Sequence, residues 1–409
     1  MKKIVYILLL LSVCLIPKTT FATTKVNVSN DTELRSALES TTENEIILTD
    51  DVEVTYDQSL EDEENYLMVK EGKHILDLNN HSIKTESIAQ SDYGLITVIG
   101  GSLEIKGNGQ VTARNVVLSV MSGTLTINGG TYISGNENYA DVVIMTYSGT
   151  IIVNKGNFTG NTYAEGPESN GNGGMPSQGT SLPILSSNKK SNIQTNRTKA
   201  SEKLGAPLDT NPNITINEGT FNSTTYVSNT NLTINGGTFK GENAVEVSGN
   251  NGSLKVNNGN FNGDDIGLLV NTTSGDPTVA LNGGTYSCTD CGDQTITFGA
   301  ITVGPFTQQN DGTQLLQNIL GNNANIDDST MTEETTVYNN ESVYFYHSNN
   351  LIKVTTPVAP KEDKEDKTKE RQTEEIENPE TSDNILLSVI VLISSLSVIL
   401  VGTKELNNN

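Results

Sequence analysis

The chain of 409 residues has no tryptophan, three histidines and three cysteines, and its 25 basic residues stand against 49 acidic ones. Each scarcity excludes something. Without tryptophan, a carbohydrate site built on broad aromatic platforms is disfavoured, although tyrosine can serve. A net charge of −24 repels polyanions, so nucleic acid is not expected as a partner. The basic patch of Lys189, Lys190, Arg197 and Lys199 does not reverse that balance. Cys14 falls in an N-terminal apolar run, which leaves Cys288 and Cys291 as the only other pair, too few for a four-ligand zinc site or a disulfide scaffold. His74 and His81 lack partners at metal-ligand spacing and read as solvent-facing turn residues. Apolar runs long enough for a secretory leader or a bilayer span are confined to the two ends of the chain.

What is abundant is a repeat. Leu-Thr-Ile-Asn-Gly-Gly-Thr occurs at Leu125 to Thr131 and again at Leu232 to Thr238. Aligned on the polar residue after the apolar pair, looser copies fall at Asn79, Lys106, Asn128, Asn154, Asn217, Asn235, Asn257 and Asn282, separated by 27, 22, 26, 63, 18, 22 and 25 residues. A period in the low twenties is a solenoid signature, because one such unit cannot bury its apolar face alone. Before each corner residue the pattern alternates apolar and polar, as in Leu254-Lys255-Val256, which specifies a half-buried strand and excludes a helix. Gly follows within two residues in most copies, and Asn and Gly adopt positive φ cheaply, so the chain turns there. An aromatic comes next (Tyr132, Phe158, Phe221, Phe239, Phe261, Tyr286), and many copies are preceded by an apolar run such as Val142 to Met145, Ala244 to Val247 or Ile266 to Val270. Strand, corner, strand, corner, strand describes one triangular coil. Coils stacked about 4.8 Å apart would place the aromatics in an internal stack and the corner asparagines in an amide ladder. A β-sandwich fits the strand count but gives no reason for the same residue types to recur at each position.

The Ile-Asn-Gly-Gly-Thr-aromatic copies, together with Leu76-Asp77-Leu78-Asn79-Asn80-His81-Ser82-Ile83, resemble the right-handed parallel β-helix proteins of the pectate-lyase-like fold found on Gram-positive cell surfaces. The expected fold class is therefore all-β, a right-handed parallel β-helix over residues 23–356 with short helical caps. The motif at Leu76 is similar to the first coil of such proteins.

Residues 1–22 read as a signal peptide: Lys2 and Lys3, an apolar core from Ile4 to Ile16, and Thr20-Phe21-Ala22 as the cleavage site. Val13 before Cys14 and the continuing Leu15-Ile16 argue against a lipid-attachment site. Removing this leader, whose three charges are all lysines, leaves 22 basic against 49 acidic residues, about −27. Asn30 and Glu33 form a capping box for a short helix with Leu34, Ala37 and Leu38 on one face, which would cover the open solenoid end. Residues at about 161–212 form an irregular insertion, expected to hold one irregular coil with Leu182 to Leu185 as its strand, plus a loop. Cys288-Thr289-Asp290-Cys291 is read as a local disulfide, with free thiols as the alternative. Leu315, Leu316, Ile319 and Leu320 mark a second short helix, and strands at Thr336 to Tyr338, Ser342 to Tyr346 and Leu351 to Val354 would close the other end.

Residues 357–377 are a charged, Pro-containing linker. Asn378-Pro379-Glu380-Thr381-Ser382 follows, then an apolar span at 385–401, just long enough to cross a bilayer, and a polar tail at 402–409. This order resembles a sortase cell-wall sorting signal of the LPXTG type. The resemblance implies cleavage after Thr381, transfer to a peptidoglycan amine, and sortase as a partner. Asn378 stands where Leu is usual and Ser382 where Gly is usual, and Lys404 is the tail's only cation, so a plain membrane anchor through the C-terminal helix is the alternative.

The resembling fold includes calcium-dependent polysaccharide lyases. Glu242 and Asp264 lie seven residues past their corner asparagines and so stack on successive coils, with Asp265 and Asp290 beside them. Carboxylates so placed could share calcium. A catalytic base is harder to find: Arg35, Arg114 and Arg197 are all upstream, and Lys240 is the nearby lysine. The reading is a solvated acidic corner, no catalytic residue and no required cofactor. The expected function is a non-enzymatic adhesin or structural display protein on the extracellular surface, binding glycans or proteins, with a calcium-dependent lyase or glycoside hydrolase as the alternative.

Overall fold

The computed structural model describes residues 24–356 except 58, 60–64, 86–92, 115, 136–141, 166–210, 292–296, 329 and 339–340. The segments read above as signal peptide, linker, sorting motif, membrane span and tail, together with Cys14 and Leu182 to Leu185, lie outside the described residues. Among those described, no helix is long and apolar enough to cross a membrane.

The fold is mostly β, and its strands stack in three parallel ladders, an arrangement consistent with a β-solenoid. The first ladder starts at Thr24–Val28 and Asn44–Leu48 and runs in register through Lys73–Asp77 and Ser102–Lys106 to Ser253–Val256 and Thr278–Leu281. The second runs from Val52–Glu53 to Gly284–Cys288. The third runs from Leu67–Val69 to Ile301–Phe306. The chain visits them in turn, and some strands bend through a corner, as Thr124–Ser134 does from the first ladder into the second.

Alternation decides what faces inward. On the first ladder, Leu125, Ile151, Ile214, Leu232 and Leu254 stack in one buried row, and Ile127, Val153, Ile216, Ile234 and Val256 in the next. On the second, Tyr132, Phe158, Phe221, Phe239, Phe261 and Tyr286 form the internal stack that the repeat predicts. Their successive centroids are 4.7 to 5.1 Å apart and their planes within 11° of parallel. That spacing is the interstrand distance, so backbone pairing and ring contact reinforce one another. The corner glycines are shaped by this stack: Gly259 has φ +145°, and a Cβ there would meet Phe261 Cζ at 2.9 Å.

Both ends are covered. Helix α1, Asp31–Leu38, buries Leu34, Ala37 and Leu38. Asn30 Oδ1 accepts from Glu33 N at 3.0 Å, as the capping box predicts, but Glu33 returns its bond to Ser29 N at 2.8 Å instead of to Asn30. Arg35 ties α1 to the third ladder by donating to the carbonyls of Asn65 and Tyr66. At the other end lie helix α2, Gly312–Ile319, and the antiparallel strands Thr332–Tyr338, Glu341–His347 and Leu351–Thr355.

Three expectations change. His74 is fully buried, since Lys73-His74-Ile75-Leu76 alternates and places it in the inward row with Leu103; its Nε2 lies 3.1 Å from Glu71 O. His81 is half-exposed, 3.6 Å from Asp51. The coil at Leu76 is the third rung of the first ladder, because Asn44–Leu48 is a rung whose corner lacks the Asn-Gly signature. Finally, the coils on either side of 166–210 pair directly, Thr150 with Asn213 and Thr162 with Thr225. The long repeat separation therefore leaves no missing rung, and Asn161–Glu165 belongs to the third ladder.

Candidate functional site

The outward side of the first ladder is a polar face built by the alternation that fills the core. Its central row reads Glu104, Thr126, Ile152, Thr215, Thr233, Lys255 and Ala280 on successive coils. Along one margin the corner asparagines form a continuous amide ladder. Each Nδ2 donates to the Oδ1 one coil back: Asn282 to Asn257 at 3.0 Å, Asn257 to Asn235 at 2.6 Å, Asn235 to Asn217 at 2.7 Å, Asn217 to Asn154 at 2.6 Å and Asn154 to Asn128 at 2.7 Å. The row ends where Asn128 Nδ2 donates to Glu104 Oε1 at 2.7 Å. All donors point the same way, so each bond polarises the next. At the opposite margin Asn231 donates to Asn213 Oδ1 and accepts from Ser253 Oγ.

The same face is charged toward the N-terminus. Lys106 lies 2.9 Å from Glu45 and 3.7 Å from Asp77, and Lys25 is 3.1 Å from Glu45. Hydrogen bonds from Lys106 and then Lys25 lower the Glu45 pKa, and the bond with Glu45 raises that of Lys106. Asp77 and Lys106 occupy the margin where later coils carry asparagine, while Lys25 and Glu45 lie in the central row, so the ion-pair network crosses from one row to the other. A groove at the corner is lined by Gly107, Gly109, Asn128, Gly130, Lys155 and Asn157, and it exists because the glycines leave the corner without side chains.

The acidic corner is assembled in part. A register shift between Gly241 and Asn243 sets Glu242 opposite the Asp264–Asp265 pair, and Asp290 N donates to Asp264 O at 2.7 Å. Glu242, Asp264 and Asp290 are exposed and Asp265 is half-buried. Among the described residues, no group of three or more His, Cys, Asp or Glu side chains is placed to hold a metal ion. Lys240 pairs with Asn262 across the coils below this corner. Cys288 and Cys291 are joined in a disulfide with Cα atoms 5.2 Å apart, directly beside Asp290.

The sequence gives little sign of Glu246. It is 2% exposed on the third ladder and accepts from Asn271 Nδ2 at 2.9 Å and Asn243 Nδ2 at 3.3 Å. The only signal is a lone acid within Ala-Val-Glu-Val, where alternation aims it away from the core that Val245 and Val247 fill. The outward side of the third ladder is itself buried, with Met68, Met121, Met145 and Tyr147 forming a second apolar cluster. Comparison of the chain with protein-family models, with curated proteins and with solved structures finds no match.

Proposed function

We propose that this chain is an exported, wall-anchored display protein, a right-handed β-helix of the pectate-lyase-like kind whose polar face binds extracellular glycans or proteins without chemical turnover. One observation carries the binding role: the first ladder presents Thr126, Thr215, Thr233 and Lys255 outward from its coils, beside a margin of asparagines held in register by the amide ladder. Such a face offers both donors and acceptors at the coil spacing, the arrangement that polar polymers and extended peptides can match. Right-handed winding is the sense that parallel crossovers adopt almost without exception. The export and anchoring part rests on residues 1–22, 378–382 and 385–401. A calcium-dependent lyase or hydrolase acting at Glu242 and Asp264 remains the alternative, because catalytic power lives in a site and not in a fold.

The binding role is tested by applying the full chain to an array of neutral and uronate polysaccharides and purified extracellular proteins, beside Thr215→Glu/Thr233→Glu. The double variant is expected to keep its circular dichroism and lose at least about tenfold in binding, roughly 1.4 kcal/mol. Equal binding by both would remove the first ladder from consideration as the binding face.

A further inference from the structure

The three ladders end differently at the C-terminal side. Leu281, in the last strand of the first, bridges to Leu320 beside α2, and Leu351–Thr355 pairs with the last strand of the second. The third continues through Glu341–His347 into Thr332–Tyr338, which among the described residues pairs on one side only. Alternate residues of this strand therefore turn N–H and C=O groups outward, a template for another strand. The usual protections of such an edge are missing. Its seven residues, Thr-Glu-Glu-Thr-Thr-Val-Tyr, include no Pro and no Lys, and the register with Glu341–His347 runs without a bulge. Thr332, Glu333, Thr335 and Val337 are exposed, Val337 at 68%. One of its two acids is engaged within the molecule: Glu333 accepts from Tyr346 Oη at 2.8 Å and Gln309 Nε2 at 2.9 Å, whereas Glu334 lies 4.0 Å from His347 Nε2.

We propose that Thr332–Tyr338 is a homophilic contact, pairing antiparallel with the same strand of a second copy about a two-fold axis through Thr335. The register argues for self-pairing. When Thr335 faces itself, all seven residues pair, Glu333 lies opposite Val337 and Glu334 opposite Thr336, so no like charges meet. The neighbouring symmetric register toward the start of the strand sets Glu334 against Glu334, and the one toward its end shortens the pairing. An isologous contact of this kind closes as a dimer and leaves no further edge, so it does not propagate. The chain's net charge of −24 opposes the approach of two copies, and the strand bonds do not. Added salt should therefore strengthen the contact. The inference stands on this edge alone, independent of the polar face and the anchor.

The test uses the full chain carrying Cys14→Ser, with Thr335→Cys or, as control, Ser253→Cys on the polar face. Facing residues of a strand pair have Cα atoms about 4.5–5.5 Å apart, within disulfide reach. Mild oxidation and a non-reducing gel should give at least about tenfold more covalent dimer from Thr335→Cys than from the control, rising between about 0.05 and 0.5 M NaCl. Adding Val337→Glu, which opposes Glu333, should suppress it. Equal cross-linking at the two positions, or dimer that persists with Val337→Glu, would overturn the proposal. A monomeric Thr335→Cys chain that is instead captured by an extended peptide of another protein would also overturn it, assigning the edge to a different partner.

Discussion

At the scale of single residues, the repeat encodes two stacks with opposite chemistry, one dry and one wet. Phe239 lies between Phe221 and Phe261 at 4.9 and 5.0 Å, almost parallel to both. Replacing it with Ala removes two ring contacts and opens a cavity that the rigid ladders cannot close, which should cost about 3–5 kcal/mol in urea unfolding. Asn235 holds the equivalent place in the wet stack. It donates to Asn217 and accepts from Asn257, so Asn235→Asp sets an anionic oxygen against Asn217 Oδ1. The protonated acid can donate there, so folding raises that carboxyl's pKa. The variant should lose about 1–3 kcal/mol at neutral pH and regain part of it as the pH falls through the raised value. A loss that is equal at both pH values would mean the amide chain has no directional role.

Both stacks were legible in the sequence because one residue type recurs at one coil position. His74 was less legible. Its neighbours Gly72 and Lys73 suggest a turn, and only the inward row it shares with Leu103 shows that it is a core residue. Glu246 was hidden for a related reason, as its partners Asn243 and Asn271 come from its own corner and from the next coil.

At the scale of elements, the caps determine whether the ladders stay solitary. An uncovered terminal coil exposes apolar rows and unpaired backbone, and α1 covers them with Leu34 and Leu38, both fully buried. Leu38→Asp should detach α1 and turn a clear solution of the chain into one that scatters light within hours at micromolar concentration. A variant that remains monodisperse would show that the first coil protects itself. The caps were legible because capping boxes and amphipathic spacing are local signals. The second rung was not, since Asn44–Leu48 turns its corner without the Asn-Gly pair. The acidic corner illustrates the limit of spacing arguments: equal offsets from the corner asparagines predict Glu242 stacked on Asp264, but a register shift between Gly241 and Asn243 sets it opposite the Asp264–Asp265 pair.

At the scale of the whole molecule, charge and pairing change along the axis. Glu33 is lowered from its ordinary value of 4.5 first by the backbone bond from Ser29, and Asp51 from 3.8 first by the bond from Ser82. Glu45 and Asp57 are lowered as well, by bonds led by Lys106 and by Ser59 respectively. These carboxylates all belong to α1 and the first coils. A depressed folded pKa contributes stability that is present above the unfolded value and lost as the pH falls through the folded one. Acidification below about pH 4 should therefore loosen the N-terminal coils while the amide-laddered coils hold. Hydrogen exchange resolved by peptide at pH 7 and about pH 3.5 reads this directly; simultaneous exposure of both halves would contradict it.

The proposal that this solenoid is displayed outside the cell on a covalent wall link is tested at its C-terminus. Protein released from the producing cells by a muramidase is digested, and its C-terminal peptide is identified by mass spectrometry. A peptide ending at Thr381 whose carbonyl carries a wall-derived amine is expected, with the link abolished in Thr381→Ala. A chain found only in the membrane fraction, with residues 385–401 intact and its C-terminus at Asn409, would contradict that claim.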